Sequence, residues 1–440
     1  MLFIAVDDLR DTVGHLRNFS GIETPHIDQL ARSGMVFENA HCAAPACSPS
    51  RTALLSGWSP ARTGFYENGQ LWAGELEYAE SLPRRFMKHG WYTVGSGKVF
   101  HGTGALPNFH SEFQVPYDKD YGEYGEPVGK PLDIAVEEMP DAQRVDYIVR
   151  QIEEVRDTPV FLACGLVKPH LPFNVPRDYF ERFPLEKIQL PPMDPEGIGH
   201  LPPIARFIAR GDGELVGRLY HEHVIAHDLW KRNIQAYLAC VAFVDDQIGR
   251  LLAAWDASPH GRDGIVVLWG DNGWHFGEKE HWSKFTLWRE CTRVPLIIRA
   301  PGVTRAGSRT ASAVSLLDLY PTLLDLCGLP PRDDLDGLTL RPLLQSPDIT
   351  WDRPAVIHHG YRNAAATTDR WHYIHYRDES KELYDLHADP HQHHNLAGDP
   401  EYRKVVNRMH AYLPRHYAEN QPFGRRADGA QRHSFMEAFD

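Results

Sequence analysis

One cysteine stands where a helix is predicted to begin. We expect this helix to start at Pro49, two residues after Cys47, and to run through Leu55, because proline suits a first helical turn. Unpaired N–H groups and the helix dipole favour anions at such a position. Arg51 lies one turn further on and can reach back to Cys47, and its planar fork suits an oxyanion or an alkoxide. The run predicts a nucleophile, although a small buried cysteine beside a turn has the same residue types.

Acidic and amide side chains follow two predicted strands. Asp7 and Asp8 come directly after one apolar run. Asp271 and Asn272 come directly after another. Adjacent carboxylates repel each other unless a cation or hydrogen bonds offset them, although solvated loop acids are the ordinary explanation of either pair alone. Together the four side chains offer only oxygen ligands, which favours Ca²⁺, with Mg²⁺ as the second choice, over zinc.

Basic residues lie in three segments that each follow a predicted central strand or an acidic loop. The first segment contains Lys98 and His101, the second contains His170, and the third contains Lys284. A lone lysine or histidine is usually a solvated surface group, but these share one kind of placement. They predict a pocket in which a lysine, an arginine and a cation neutralise the charge of an anionic group as a bond breaks.

Strand and helix patterns alternate through most of the chain. We predict strands at 2–6, 35–40, 92–96, 160–165, 264–270 and 295–299, and helices at 24–33, 142–156, 231–257 and 315–324, the last of them after an exposed loop. This alternation indicates an α/β fold with a large, mostly parallel central sheet and helices on both faces. Catalytic groups in such folds gather at the carboxyl ends of the strands.

The pattern changes after about residue 350. Short alternating runs at 356–358, 371–376 and 382–386 predict antiparallel strands, and a closing helix is expected near 400–416. We therefore predict a catalytic domain over residues 1–350 and a C-terminal subdomain over 351–440 with a small antiparallel sheet. Two long segments with little periodicity, 102–140 and 171–225, are expected to form walls of the substrate cleft.

Composition narrows the function classes. The chain has 440 residues, and its net charge of −13 argues against nucleic acid as a bulk partner, although a local basic pocket can bind a small anion. Six cysteines do not form a disulfide framework. No apolar run is long enough to predict a transmembrane helix. Because no signal peptide follows Met1, we expect a cytoplasmic protein, or a periplasmic or secreted one if a leader has been removed.

Taken together, the motifs resemble those of the type I sulfatases, the formylglycine-dependent enzymes of the alkaline-phosphatase superfamily. The pattern is nearest to the iduronate-2-sulfatase-like branch and spans nearly the whole chain, to about residue 400. The matching segments are Val6-Asp7-Asp8-Leu9-Arg10, Thr24-Pro25-His26-Ile27-Asp28, Cys47-Ser48-Pro49-Ser50-Arg51, Gly97-Lys98-Val99-Phe100-His101, Lys168-Pro169-His170-Leu171-Pro172-Phe173, Asp271-Asn272-Gly273-Trp274 with Gly277-Glu278, and Glu382–Leu386.

The resemblance implies a modified nucleophile and a metal. A maturation enzyme would oxidise Cys47 to formylglycine, and the hydrated aldehyde would attack sulfur. The Ca²⁺ ligands would be Asp7, Asp8, Asp271, Asn272 and the modified Cys47. Asn272 stands where iduronate sulfatase itself has a histidine, although many sulfatases use asparagine at this position.

The resemblance also implies a role for each basic residue. Arg51 would orient the formylglycine, and His101 would hydrogen-bond its hydrate. The sulfate group would be contacted by Lys98, Lys284 and His170. Either His170 or Lys284 would protonate the leaving oxygen.

A sulfated carbohydrate is the substrate that the branch resemblance implies. The aromatic residues Trp72, Tyr117, Tyr121 and Tyr124 could stack on sugar faces, although aromatic side chains also pack in cores. Two alternatives remain open: a phosphonate or phosphate diester hydrolase of a sister group with the same cysteine signature, and a catalytically silent sulfatase-like binding protein. The sequence does not indicate an oligomeric state.

Overall fold

The computed structural model describes residues 1–17, 19, 21–101, 107–115, 128–210, 220–425, 432–434 and 439. Three of the aromatic residues expected in the cleft, Tyr117, Tyr121 and Tyr124, lie outside these residues, as do parts of the two expected cleft walls. The strands of the described residues are β1 (Leu2–Val6), β2 (Met35–His41), β3 (Tyr92–Gly97), β4 (Ser111–Phe113), β5 (Pro131–Leu132), β6 (Val160–Leu166), β7 (Val175–Pro176), β8 (Val266–Gly270), β9 (His275–Phe276), β10 (Trp282–Ser283), β11 (Leu296–Arg299), β12 (Ser308–Ser315), β13 (Ala355–His358), β14 (Ala364–Thr367), β15 (Trp371–His375) and β16 (Lys381–Asp385).

Helices connect most of these strands. The α-helices of the described residues are α1 (Pro25–Ser33), α2 (Cys47–Ser56), α3 (Pro60–Thr63), α4 (Leu82–Lys88), α5 (Pro140–Glu153), α6 (Arg177–Glu181), α7 (Pro203–Arg210), α8 (His221–Ala226), α9 (Trp230–Ala257), α10 (Arg289–Thr292), α11 (Leu319–Leu326), α12 (Arg341–Gln345) and α13 (Arg403–His410). Within the described part of the chain, no helix combines the length and the apolar character that crossing a bilayer requires.

Eight strands form the central sheet, in the order β12-β2-β11-β8-β1-β6-β3-β4. Neighbouring strands are parallel except at β11, which is antiparallel to both β2 and β8. The predicted α/β fold with a large, mostly parallel sheet is therefore confirmed. Strand β1 lies between β8 and β6, so its carboxyl end is at the middle of the sheet edge.

Apolar side chains on β1 alternate between two cores, as expected for a strand buried on both faces. Leu2 and Ile4 pack with residues of α1, α5 and α9 on one face. Phe3 and Ala5 pack with residues of α2, α4, α7 and α11 on the other. The predicted arrangement of helices on both faces is thus confirmed.

A second sheet follows the large one in the chain. Strands β13 to β16 form an antiparallel meander, which confirms the predicted small C-terminal sheet. Ile374 and Tyr384 pack into a core of the large sheet, whereas Tyr373 packs with Met409 of α13 on the opposite face. The boundary between a catalytic domain and a subdomain at residue 350 stays a prediction.

Two of the described strands with four or more residues were not predicted from the sequence. Strand β12 occupies part of the expected exposed loop and pairs in parallel with β2 at the edge of the central sheet. Strand β14 is rich in alanine and lies between β13 and β15. Short elements also occur in the two segments expected to be irregular, among them β5, β7, α6 and α7.

Helix α5 fixes the end of β6 through one buried carboxylate. Asp141, in the first turn of α5, accepts hydrogen bonds from the backbone N–H of Val167 at 3.0 Å and of Lys168 at 2.9 Å. It also accepts one from Arg144 Nη1 at 2.7 Å. This carboxylate therefore positions the segment that leads to His170.

We expect Asp141→Asn to destabilise the protein by ~2–4 kcal/mol, because an amide N–H would face the backbone donors and leave them unsatisfied in the interior. The matched control is Asp146→Asn on the same helix, which removes a partly exposed pair with Arg250 and should change stability by ~1 kcal/mol or less. Denaturant unfolding measures both variants. Equal stability of the two variants would contradict the positioning role of Asp141.

Candidate active site

Three carboxylates meet at the carboxyl ends of two neighbouring strands. Strands β1 and β8 are parallel, and Val6 pairs with Gly270, so the residues that follow each strand emerge side by side. Oxygen atoms of Asp7, Asp8 and Asp271 lie within 4.8 Å of one another, and all three side chains are buried. The structure thus brings together the acidic residues that the sequence analysis selected.

The backbone at Asp8 turns sharply to allow this arrangement. Asp8 has φ 57°, in the left-handed region, and its N–H donates to Asp271 Oδ1 at 2.9 Å. The hydroxyl of Tyr237 donates to the Asp8 carbonyl oxygen at 2.7 Å and accepts from the N–H of Arg10 at 3.0 Å. The sequence analysis missed Tyr237, because a tyrosine within an apolar helix pattern resembles an ordinary core residue.

The acidic cluster fits a hard cation. Asn272 Nδ2 donates to Asp8 Oδ1 at 2.9 Å, whereas Asn272 Oδ1 and Asp8 Oδ2 are buried and have no hydrogen-bond partner. Burial raises the pKa of Asp271 to about 7, with Arg51 opposing the shift and Asp7 adding to it. Crowded carboxylates and unpaired buried oxygens match the ligands that Ca²⁺ and Mg²⁺ prefer.

Cys47 lies beside this cluster at the start of α2. The helix begins at Cys47 itself, two residues earlier than predicted, and all its residues are buried. Cys47 Sγ is 3.5 Å from Asp8 Oδ1 and 2.6 Å from Lys284 Nζ. Burial, together with Asp7 and Asp8, raises the pKa of the Cys47 thiol well above its usual range. The thiol therefore stays protonated, and an unmodified Cys47 is a weak nucleophile.

Arg51 is a fully buried cation that contacts two of the carboxylates. Its Nε donates to Asp271 Oδ2 at 2.7 Å, and its Nη2 is 3.3 Å from Asp7 Oδ1. Its Nη1 donates to the carbonyl oxygen of Lys98 and, at 3.3 Å, to that of Val99. In the described residues no hydrogen bond joins Arg51 to Cys47, so Arg51 acts on the site through the two aspartates and the strand end that carries Lys98.

Two lysines and one histidine converge on the same carboxylates. Lys98 Nζ donates to Asp7 Oδ2, and Lys284 Nζ donates to Asp8 Oδ1 at 2.6 Å. His170 Nε2 lies 3.9 Å from Asp8 Oδ2, and its Nδ1 lies 2.8 Å from the Leu171 carbonyl oxygen. The three side chains come from separate parts of the chain, and the folded sheet brings them to one point.

The charge states of this group follow from burial and neighbours. Burial opposes the charge on Lys284, but Asp8 and Asp7 outweigh it and raise its pKa well above the usual range. Burial lowers the pKa of His170 to about 4, with Asp8 opposing the shift and Lys98 adding to it. At neutral pH the site thus presents a charged lysine and a neutral imidazole.

His101 lies at the edge of the group. Its carbonyl oxygen accepts a hydrogen bond from Ser48 Oγ at 3.3 Å, which ties it to the residue after Cys47. Burial and Lys98 lower the pKa of the His101 ring to about 3. No hydrogen bond joins this ring to Cys47 within the described residues, so its contact with the nucleophile stays a prediction.

A strained loop carries Lys284, and His281 fastens it. Lys279, Glu280, Ser283 and Phe285 all have positive φ, which marks a backbone held by its surroundings. His281 Nε2 is 2.7 Å from the Lys284 carbonyl oxygen, and its Nδ1 is 2.7 Å from the Ala209 carbonyl oxygen on α7.

The sequence analysis did not select His281, because a lone histidine is usually a surface group. Its position three residues before Lys284 is the one available signal. The sequence analysis also missed the contact between Arg10 Nη1 and Glu278 Oε1, which are 2.9 Å apart. This buried ion pair connects the turn after Asp8 to the loop that carries Lys284.

Two family models match the chain. The model described as "Sulfatase" matches residues 1–329, and the model described as "N-sulphoglucosamine sulphohydrolase, C-terminal" matches residues 277–419. The first covers the acidic cluster, Cys47 and the basic residues that surround them.

Individual proteins match as well. A "Sulfatase" of Formosa agariphila is 34% identical, and the match covers 94% of this chain and 86% of that protein. Human "Iduronate 2-sulfatase" is 31% identical, over 76% of this chain and 70% of that protein. The solved structure of the phosphonate monoester hydrolase of Agrobacterium radiobacter superposes with a TM-score of 0.78 at 21% identity, over 93% of this chain and 94% of that chain, and shows that the fold is shared.

We expect His281→Ala to lower the rate of sulfate-ester hydrolysis roughly 10- to 100-fold, because loss of both carbonyl contacts lets Lys284 move from its place. The unsatisfied Lys284 carbonyl should reduce stability by only ~1–3 kcal/mol. The control is His387→Ala, which removes an exposed histidine outside the site. Steady-state kinetics and thermal melting separate the two effects. A His281→Ala variant as active as His387→Ala would exclude the positioning role.

Proposed function

Because the chain belongs to the sulfatase family and is a sulfuric ester hydrolase, we propose that it removes sulfate from a sulfated carbohydrate. The observation that carries this proposal is the convergence of Lys98, Lys284 and His170 on one point beside Cys47. A sulfate ester brings negative charge to that point, and its leaving oxygen gains charge as the S–O bond breaks. Preorganised cations at such a position are the usual source of rate acceleration.

We propose that Cys47 is the precursor of the nucleophile. Oxidised to formylglycine by a maturation enzyme, it would supply an aldehyde hydrate whose hydroxyl is directed at sulfur. The protonated thiol of Cys47 supports this, because an unmodified side chain would be a weak nucleophile there. The start of α2 favours the negative charge that gathers at this position.

The basic residues have distinct tasks in this proposal. Lys98 and Lys284 bind the sulfate oxygens, and both remain charged because carboxylates lie next to them. His170 Nδ1 faces the Leu171 carbonyl oxygen, so its Nε2 is directed at the site. Incoming sulfate favours protonation of that Nε2, which can then give a proton to the leaving oxygen. Lys284 is the alternative proton donor.

Ca²⁺ is the metal that we propose, because the acidic cluster offers only oxygen ligands. Asp7, Asp8, Asp271 and Asn272 would hold it, with the modified Cys47 as a further ligand. Bound there, the cation would draw charge from the sulfate group and so act as a Lewis acid.

A carbohydrate is the proposed substrate because several relatives carry sugar names. "Iduronate 2-sulfatase", "Ulvan-active sulfatase" and "N-acetylglucosamine-6-O-sulfatase" are 31%, 29% and 24% identical to the chain. The sulfate pocket itself cannot select a sugar, because every sulfate ester presents the same group. Selection has to come from residues that contact the ring and its hydroxyls.

Turnover of a substrate panel tests the proposal. We expect higher kcat/KM on sulfated sugars than on an aryl sulfate or a phosphonate ester, because binding energy remote from sulfur is used in the transition state.

Mass spectrometry should show an aldehyde in the peptide that contains Cys47. Cys47→Ala should abolish turnover with little change in melting temperature, because it removes one small side-chain group.

Three outcomes would contradict the proposed function. Preferred turnover of the phosphonate ester would indicate the sister activity, for which the related fold alone offers support. An unmodified thiol with no turnover would indicate a silent binding protein. Activity retained by Cys47→Ala would exclude this residue as the nucleophile precursor.

We expect chelation to lower both activity and melting temperature, and Ca²⁺ to restore them. A ligand bound only by the folded state stabilises it, by ~2.7 kcal/mol at a concentration of about 100 times Kd. Metal analysis and thermal melting give readouts that do not depend on turnover. Stoichiometric zinc, or full stability and activity without metal, would contradict the calcium site.

A further inference from the structure

A basic groove lies in the C-terminal subdomain, apart from the candidate active site. It has a volume of about 680 Å³. Its walls carry Tyr361, Arg362, His375, Glu379, His410, Pro414, Arg415, His416 and Tyr417. We refer to these residues as the subdomain groove.

The subdomain groove is lined by more basic than acidic side chains. The protein has 59 acidic and 46 basic residues, so an exposed arginine has many possible carboxylate partners. Arg362 and Arg415 are nevertheless exposed and form no ion pair with any described residue. The one carboxylate of the groove, Glu379, lies 3.3 Å from His375 Nε2. Two guanidinium groups thus remain available for an anionic ligand.

A rigid turn presents one wall of the groove. Tyr361 and Arg362 lie between β13 and β14, and Arg362 has φ 64° in the left-handed region. The buried Asn363 closes the turn, because its Nδ2 donates to the His359 carbonyl oxygen at 3.0 Å and its Oδ1 accepts from the N–H of Arg377 at 2.9 Å. This conformation is unfavourable for a non-glycine residue, so the surrounding contacts hold the turn in place.

The same turn is attached to the candidate active site. The N–H of His358 donates to the Ala43 carbonyl oxygen at 2.9 Å, in the segment that leads to Cys47. The His359 ring stacks on Phe285, with centroids 6.2 Å apart, and Phe285 directly follows Lys284. The turn therefore keeps the groove in a fixed relation to the sulfate pocket.

The opposite wall is attached as well. The N–H of Ala418, next to Tyr417, donates to the Ala61 carbonyl oxygen at 2.7 Å, and Tyr66 Oη donates to the Ala418 carbonyl oxygen at 2.8 Å. Tyr66 lies two residues before Asn68, whose Oδ1 accepts from the N–H of the residue after Cys47 at 2.9 Å. Hydrogen bonds thus connect both walls of the groove to the segments next to Cys47.

A second depression of about 470 Å³ continues the groove. It shares Pro414, His416 and Tyr417 with the first and extends to Arg62 and Asp336. The second depression thus extends the groove to Arg62, whose Nη1 lies 3.4 Å from Asp336 Oδ1.

We propose that the subdomain groove binds an anionic group, a sulfate or a carboxylate, on a sugar other than the one whose ester is cleaved. This rests on the proposed function and extends it to polyanionic oligosaccharides. The guanidinium groups of Arg362 and Arg415 pair with the anion, and the rings of Tyr361 and Tyr417 offer faces on which a sugar can stack. The fixed walls limit the ordering that binding requires.

The test compares two double variants that each lose two exposed positive charges of the subdomain. Arg362→Gln with Arg415→Gln changes the groove, whereas Arg403→Gln with Arg408→Gln changes α13 outside it. Both are made in the Cys47→Ala protein, so that calorimetric titration measures binding without turnover. The probes are a heparin octasaccharide, a heparin disaccharide, inorganic sulfate and a polyglutamate peptide.

We expect the groove variant to raise the octasaccharide Kd about tenfold, the loss for two partly exposed ion pairs, and to weaken its salt dependence. Disaccharide and inorganic sulfate binding should not change, and the α13 variant should bind all probes like its parent. The proposal would be overturned if both double variants changed the octasaccharide Kd equally, or if neither changed it. It would also be overturned if the groove variant lost as much affinity for the disaccharide as for the octasaccharide. Polyglutamate binding as tight as that of the octasaccharide would assign the groove to an acidic protein instead.

The groove proposal and the proposed function can be contradicted separately. The octasaccharide titration needs no turnover, whereas the substrate panel in the Cys47 protein tests sulfate-ester hydrolysis. If the parent hydrolyses sulfated sugars but the groove variant binds the octasaccharide as tightly as its own parent does, only the groove proposal is disproved. A parent without sulfatase activity disproves the proposed function, whatever the groove binds.

Discussion

Mutual repulsion among Asp7, Asp8 and Asp271 is the constraint on which the rest of the site depends. Parallel pairing of β1 with β8 puts these carboxylates within 4.8 Å of one another, in a place without solvent. Such a cluster is stable only with positive charge around it. Arg51 and Lys98 provide part of that charge from the chain. The same need makes the cluster a candidate site for a cation.

The elements around the cluster hold its cations in place. Arg51 is fixed because α2 is buried along its whole length. Lys98 is fixed because it directly follows the central strand β3 and its carbonyl oxygen accepts a hydrogen bond from Arg51. Lys284 has no regular element of its own and depends on a loop with several left-handed residues. The His281 ring and the Phe285 N–H, which donates to the Pro45 carbonyl oxygen at 3.0 Å, anchor this loop. A strained loop thus needs more supporting contacts than a strand end.

Much of the candidate site could be predicted from the sequence, because catalytic groups in α/β folds gather at the carboxyl ends of the strands. Asp7, Asp271 and Lys98 each follow an apolar run that only a central strand would bury, and parallel strands bring such positions together. Strand β12 could not be predicted, because its small polar residues become a strand only when β2 offers an edge. Tyr237 and His281 act through contacts with distant backbone atoms, and a single sequence carries no record of those contacts.

In the two proposals, the recognition of sulfate and the recognition of the sugar chain belong to different groups of residues. Lys98 and Lys284 are buried and paired, so their geometry is fixed and suits one small anion. Arg362 and Arg415 are exposed and lack ion-pair partners in the described residues, so they can adjust to anions at different spacings. A buried cation without a ligand would be costly, whereas an exposed one is solvated until a ligand arrives. In the proposed function, variation among substrates would therefore be easier to accommodate around Arg362 and Arg415 than at the carboxyl end of the central sheet.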